Sequence, residues 1–218
     1  MFRLLSVLLA LLLLHTSPVE ANSARDLAER LEAKASNGDI KAAYKLGLFW
    51  SQGKKVDPDY FTAAEWFERS AEGGYTKGML KIADMYEEGR GVDKNLSAAL
   101  KWNKMAAQNG SKAAMVKLGA IHALQNNFKD SANWYMKAAI KGDVASMREL
   151  GNYYLNGSGV RFDLKQAFAW LELAIEKGDY KAKALQGKIV QKKGQGWADD
   201  LRRKVNMRMV PVAYWDER

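Results

Sequence analysis

Residues 142–178 read GDVASMRELGNYYLNGSGVRFDLKQAFAWLELAIEKG, and the landmarks of this stretch return elsewhere in the chain. Its opening glycine is one of five, Gly38, Gly74, Gly110, Gly142 and Gly178, spaced by 36, 36, 32 and 36 residues. Nine residues after each stands Gly47, Ala83, Gly119, Gly151 or Gly187. Four after each stands a small residue, Ala42, Gly78, Ala114, Ser146 or Ala182. Tryptophan keeps the same steps at Trp66, Trp102, Trp134 and Trp170. Four series sharing one irregular interval identify a tandem repeat, and this period is that of stacked helical hairpins.

Each landmark has a physical task. The spacing of Ala42, Leu46, Gly47, Phe49 and Trp50 predicts a first helix over about residues 40–52. Small residues at Ala42 and Gly47 let a neighbouring helix approach, and packing must offset glycine's helix penalty of about 1 kcal/mol. Gly53, Gly89 and Gly157 are placed to end that helix in the left-handed conformation, with Val56, Val92 and Val160 tucked under the turn. Asp59, Asn95, Asn127 and Asp163 are N-cap residue types and predict the start of a second helix. Ala63, Ala99, Ser131 and Ala167 follow four residues later. The opening glycine of the next repeat is expected to cap the end.

With these residues in place, the chain resembles the Sel-one-like repeat family, relatives of the tetratricopeptide repeats. Repeat four carries the motif as Leu150-Gly151, Tyr154, Gly157-Ser158-Gly159-Val160, Asp163, Ala167, Trp170, Ala174 and Gly178. Repeat two carries it as Tyr86, Gly89-Arg90-Gly91-Val92, Ala98-Ala99, Trp102, Ala106-Ala107 and Gly110. Repeat one departs at Lys55, where the second loop glycine belongs, and has Trp50 in the tyrosine place. Repeat three lacks the G-x-G-V loop and is four residues shorter. The resemblance implies an all-α fold, a right-handed alpha-solenoid of helix-turn-helix repeats. It divides the chain into a capping helix (22–38), repeats 39–74, 75–110, 111–142 and 143–178, and a capping half-repeat with a basic tail (179–218). It also implies a non-enzymatic scaffold for protein partners, as in envelope assembly, polysaccharide export, flagellar-motor accessories or host interaction.

Residues 1–21 read as a cleavable export signal. Arg3 precedes an apolar run from Leu4 to Leu14, and Val19-Glu20-Ala21 offers small residues for cleavage after Ala21. The run is shorter than the roughly 20 residues a membrane anchor needs. The expected location is periplasmic or secreted, with no transmembrane segment in the mature chain. There is no cysteine, which removes disulfides and lipoprotein acylation and leans toward a bacterial periplasmic protein. The net charge is +9, and ten basic against five acidic residues fall between Asp179 and Arg218. Such a balance favours anionic partners, and export makes nucleic acid the least suitable of them.

Little here suggests catalysis, a cofactor or a metal. His15 lies in the signal, and His122 stands where other repeats carry Trp50, Tyr86 and Tyr154. It reads as a ring filling that slot, because a catalytic histidine needs an orienting partner and a nucleophile. Adjacent acids such as Glu87-Glu88 or Asp199-Asp200 do not face one another across a cleft as paired catalytic carboxylates must. The repeated tryptophans read as core, leaving Tyr60 and Tyr135 as surface aromatics.

Side chains off the motif are the expected partner contacts. On the first helices these are Lys41, Lys45, Lys77, Lys81, Lys112, Lys117 and Arg148, a mostly basic row that predicts an acidic protein or peptide partner. In the tail, Leu201, Val205 and Met209 predict a basic amphipathic helix over 197–209 bearing Arg202, Arg203 and Lys204, stopped by Pro211 before Tyr214 and Trp215. That segment either folds back to close the last repeat, docks a partner through Tyr214 and Trp215, or lies on a membrane surface. A second function class is binding of anionic cell-wall polymer by the basic face and tail.

Overall fold

The computed structural model describes residues 18–53 and 57–205, with side chains from Ser23 to Arg203. Most of the expected export signal, up to residue 17, lies outside them, as do Lys55, Val56, the side chain of Lys204, and Tyr214 and Trp215. The described residues hold eleven helices and no strand. In order they are α1 (Pro18–Ser36), α2 (Ile40–Gln52), α3 (Tyr60–Glu72), α4 (Thr76–Glu88), α5 (Leu96–Gln108), α6 (Lys112–Leu124), α7 (Phe128–Ile140), α8 (Val144–Asn156), α9 (Leu164–Glu176), α10 (Tyr180–Lys193) and α11 (Gln195–Val205). The chain divides into two compact bodies, Met1–Ser111 and Lys112–Arg218. In the first, α1 packs on α2, α2 on α3, α3 on α4 and α4 on α5. In the second, α6 to α10 pack in the same sequential manner and α11 rests on α9 and α10.

Caps fix the helix lengths. Asp59, Asn95, Asn127 and Asp163 each cap the second helix of a repeat by accepting a hydrogen bond from a backbone N–H of the first turn. The same four residues donate their own N–H back to the carbonyls of Trp50, Tyr86, His122 and Tyr154, at 2.8–3.0 Å. In repeat three this closure spans five residues instead of nine, and Asn126, at φ 58°, supplies the left-handed residue that glycine supplies elsewhere. The opening glycines stand one residue beyond the cap and not at it. Gly73, Asn109, Lys141 and Lys177 are the caps, and Gly74, Gly110, Gly142 and Gly178 follow with φ of 80–92°.

The residue after each tryptophan sets how closely a hairpin closes. A Cβ on Gly47 would lie 2.6 Å from the Phe67 ring, one on Gly119 2.7 Å from Tyr135, and one on Gly151 2.5 Å from Leu171. In repeat two the equivalent positions hold Ala83 and Asn103, the latter fully buried, its Nδ2 donating to the Ala99 carbonyl. Tyr135 is therefore buried, against the expectation of a surface aromatic, because it occupies this packing position. Trp66, Trp102 and Trp170 are buried as expected. Trp134 is only half-buried, with the Lys137 ammonium 4.2 Å from its ring centre.

The second loop glycine joins successive hairpins. A Cβ on Gly91 would fall 2.0 Å from the Tyr60 carbonyl oxygen, and one on Gly159 2.2 Å from the backbone carbonyl of Phe128. Both have φ near 70°, so conformation and close approach each demand glycine. Side chains add to the contact between hairpins. Ser131 donates to the Gly119 carbonyl at 2.7 Å and accepts from the Tyr153 hydroxyl at 2.8 Å, linking α6, α7 and α8.

Gly187 holds the same repeat position, but a Cβ there would meet nothing within 4 Å, since no second helix lies over it. Gly47→Ala should therefore lose about 1–3 kcal/mol of stability through overpacking. Gly187→Ala should be neutral or gain up to about 1 kcal/mol from helix propensity. Denaturant melts of the two variants check the contrast.

Candidate functional site

The first helices carry their cations on exposed surface. Lys41 and Lys45 on α2, Lys77 and Lys81 on α4, and Lys112 on α6 are exposed. Lys45, Lys81 and Lys117 stand seven residues after their opening glycines, but the equivalent residue in repeat four is Glu149. Lys117 is half-buried and already engaged. Arg148 is one residue out of this series. Its guanidinium bonds Asp179, the N-cap of α10, and Glu149, so it fastens α10 to α8.

The described part of the tail closes the last repeat. Helix α11 begins at Gln195 and buries Ala198 and Leu201, while Trp197 meets Phe168 edge-on with centroids 5.6 Å apart. Arg202 donates Nε–H to the buried Glu172 at 2.8 Å and pairs with Asp199 at 2.9 Å; Gln186 donates to the same Glu172. Arg202 is thus a structural tie. Arg203 points outward, with Asp200 at 3.9 Å. Among the described residues no helix is long and apolar enough to cross a membrane.

His122 is half-buried in the slot predicted for it, and its Nδ1 has no hydrogen-bond partner. Trp50 Nε1, in the equivalent place of repeat one, is also without a partner, whereas Tyr86 donates its hydroxyl to Glu68 at 3.1 Å. The ring fills the position. No group of three or more His, Asp or Glu side chains suited to a metal comes together among the described residues.

A groove between α1 and α2 went unread in the sequence. Leu27, Arg30, Leu31 and Lys34 of α1 and Lys45, Leu48, Phe49 and Gln52 of α2 line it, around a volume of about 520 Å³. Each set follows i, i+3, i+4, i+7 spacing and so forms one stripe on its helix. The signal was available: the α1 set stands 36 residues before Ala63, Trp66, Phe67 and Ser70, all buried.

This geometry defines the class: an all-helical repeat protein whose hairpins close through small residues. The Sel1 repeat model matches residues 40–75, 76–111 and 144–179. The chain belongs to the Sel1-like repeat family, with the alpha-solenoid fold class of that family. Repeat three, with its shortened loop, is not matched. Similar solved structures include a protective antigen present in uropathogenic Escherichia coli strains that displays an SLR fold. It is 28% identical, with TM-score 0.70, over 83% of this chain and 40% of that one. A Sel1 repeat protein from Oxalobacter formigenes is 28% identical, with TM-score 0.65, over 74% of this chain and 48% of that one. The chain therefore spans less than half the length of either. No curated protein matches the chain significantly. Sel1 repeat proteins act generally as protein-interaction scaffolds and are typically non-catalytic.

The ties and buried phenols of the second body can be tested directly. Arg202→Ala should cost about 1–3 kcal/mol, the range for a hydrogen bond to a charged group, while Arg203→Ala should leave stability within about 0.5 kcal/mol; thermal melts of both variants decide. Burial, above all, pushes the hydroxyls of Tyr135 and Tyr154 up to about 12, with Tyr153 adding for the first and Asp163 for the second. The folded state favours the neutral phenols, so this stability is complete below about pH 10 and is lost as pH rises toward 12. Melting temperature should fall across that window, and less steeply in Tyr135→Phe.

Proposed function

We propose that this chain is an exported, non-enzymatic scaffold that binds an acidic protein or peptide through the exposed face of its first helices. The observation that carries the reading is the set Lys41, Lys45, Lys77 and Lys81. These side chains are exposed on α2 and α4, at matching positions in two successive repeats, and form no ion pair among the described residues. Helix α2 contains no acidic residue at all. Exposed cations without an ion pair keep their charge for a partner and steer its approach.

The setting follows from residues 1–21, whose pattern is that of a removable export signal. That signal places the mature chain outside the cytoplasm, periplasmic or secreted. Binding of anionic cell-wall polymer is the second reading. Arg202 contributes little to it, because Glu172 and Asp199 hold that side chain, while Arg203 and the exposed Lys181, Lys183, Lys188, Lys192 and Lys193 of α10 remain open to such a polymer.

Protein recovered from cells that export it should begin at Asn22 by N-terminal sequencing. In the same preparation, capture of its partner should weaken as ionic strength rises from low to above physiological. Salt-independent capture would overturn the electrostatic reading, and salt-sensitive retention on insoluble peptidoglycan alone would favour the polymer.

A further inference from the structure

We infer that the groove between α1 and α2 is a docking site for an amphipathic helix of a partner, one with apolar anchors and acidic neighbours. This rests on the scaffold reading and narrows it to one surface.

The repeat itself says what shape the groove receives. Leu27, Arg30, Leu31 and Lys34 occupy the positions that Ala63, Trp66, Phe67 and Ser70 occupy one period later. Those later residues are buried, and Gly47 of the first helix lies directly on Phe67. The corresponding face of α1 is where a first helix belongs, and among the described residues none precedes it. Leu27 is 42% exposed, while Leu31, Leu48 and Phe49 are half-buried along the same groove. A groove of about 520 Å³ with this apolar floor accepts side chains spaced i, i+3, i+4, i+7 on a helix.

Charge says what the occupant carries. Arg30 replaces the tryptophan of the motif, Lys34 replaces its small residue, and Lys45 stands opposite on α2. No acid lines the groove; Asp26, Glu29 and Glu32 of α1 are not among its walls. Lys34 and Lys45 both act on the Asp39 carboxylate, which places them together at the turn end of the groove. That carboxylate is committed to the N–H groups of Lys41 and Ala42. Three cations around an apolar floor select an acidic amphipathic helix. They disfavour the chain's own residues 1–17, which carry Arg3 and no acidic side chain, and a second copy of a chain with net charge +9.

The test uses fluorescence anisotropy with the chain as recovered from expressing cells. The probes are a designed helix of leucine and glutamate, its counterpart with lysine for glutamate, and a peptide of residues 1–17. The acidic helix should bind and the basic one should not. Lys34→Glu with Lys45→Glu should weaken the acidic probe at least about tenfold. Lys101→Glu with Lys104→Glu, exposed on α5 and outside the groove, should change it less than about twofold, and circular dichroism melts should show both variants folded. Equal loss in both double variants overturns the groove but leaves the scaffold reading standing. No binding of the acidic helix, or tighter binding of the 1–17 peptide, also overturns it. So does a concentration-dependent dimer in sedimentation that Leu27→Glu abolishes. Salt-independent partner capture, measured separately, is the result that would remove the scaffold reading itself.

Discussion

The whole arrangement depends on one steric pairing: a small residue in the first helix beneath the side chain that follows the tryptophan in the second. Gly47 under Phe67, Gly119 under Tyr135 and Gly151 under Leu171 are versions of a single contact. The equivalent positions of repeat two hold Ala83 and Asn103, an added methyl with a smaller residue, both buried. Because interiors are close-packed, the volume of the pair and not either residue alone sets the distance between the helices. The alanine-rich second helices and the 13-residue helix length shared by α2 to α9 fit around that distance.

A second constraint links one hairpin to the next. Gly91 and Gly159 lie against the first-turn carbonyls of the preceding second helix, so the long loop is a packing surface as well as a connection. Repeat three dispenses with that loop. It keeps the cap-to-carbonyl hydrogen bond through His122 and Asn127 and uses Asn126 for the left-handed residue. What the short turn preserves is the hydrogen bonding of the backbone, while the glycine contact is lost. Repeat three is also the one that the family model does not match.

Charge is sorted by the same framework. Arg148 and Arg202 are drawn into ties with Asp179 and Glu172, holding α10 and α11 against the last repeat. These are partly buried pairs whose role is to fix geometry more than to add net stability. The lysines of α2 and α4 have no such duty. A basic composition thus resolves into cations that complete the fold and cations available to a partner, and only the latter bear on function.

The sequence alone determined the hairpins, the N-caps of their second helices and their order, because capping residues, helical periodicity and repeat spacing are local and recur in register. It also indicated that His122 fills a ring position and that the tail could close the last repeat. It misplaced Tyr135, since a residue beside a tryptophan is assigned to a face by what lies across from it. It treated Arg148 and Arg202 as partner contacts, because a cation and the carboxylate that binds it lie about 30 residues apart in the chain. The α1–α2 groove was likewise invisible as a site: its apolar and basic stripes are ordinary on each helix and gain meaning only when the turn at Gly38 sets them side by side. Local chemistry fixed which segments are helices; juxtaposition across helices decided which side chains remain to be recognised.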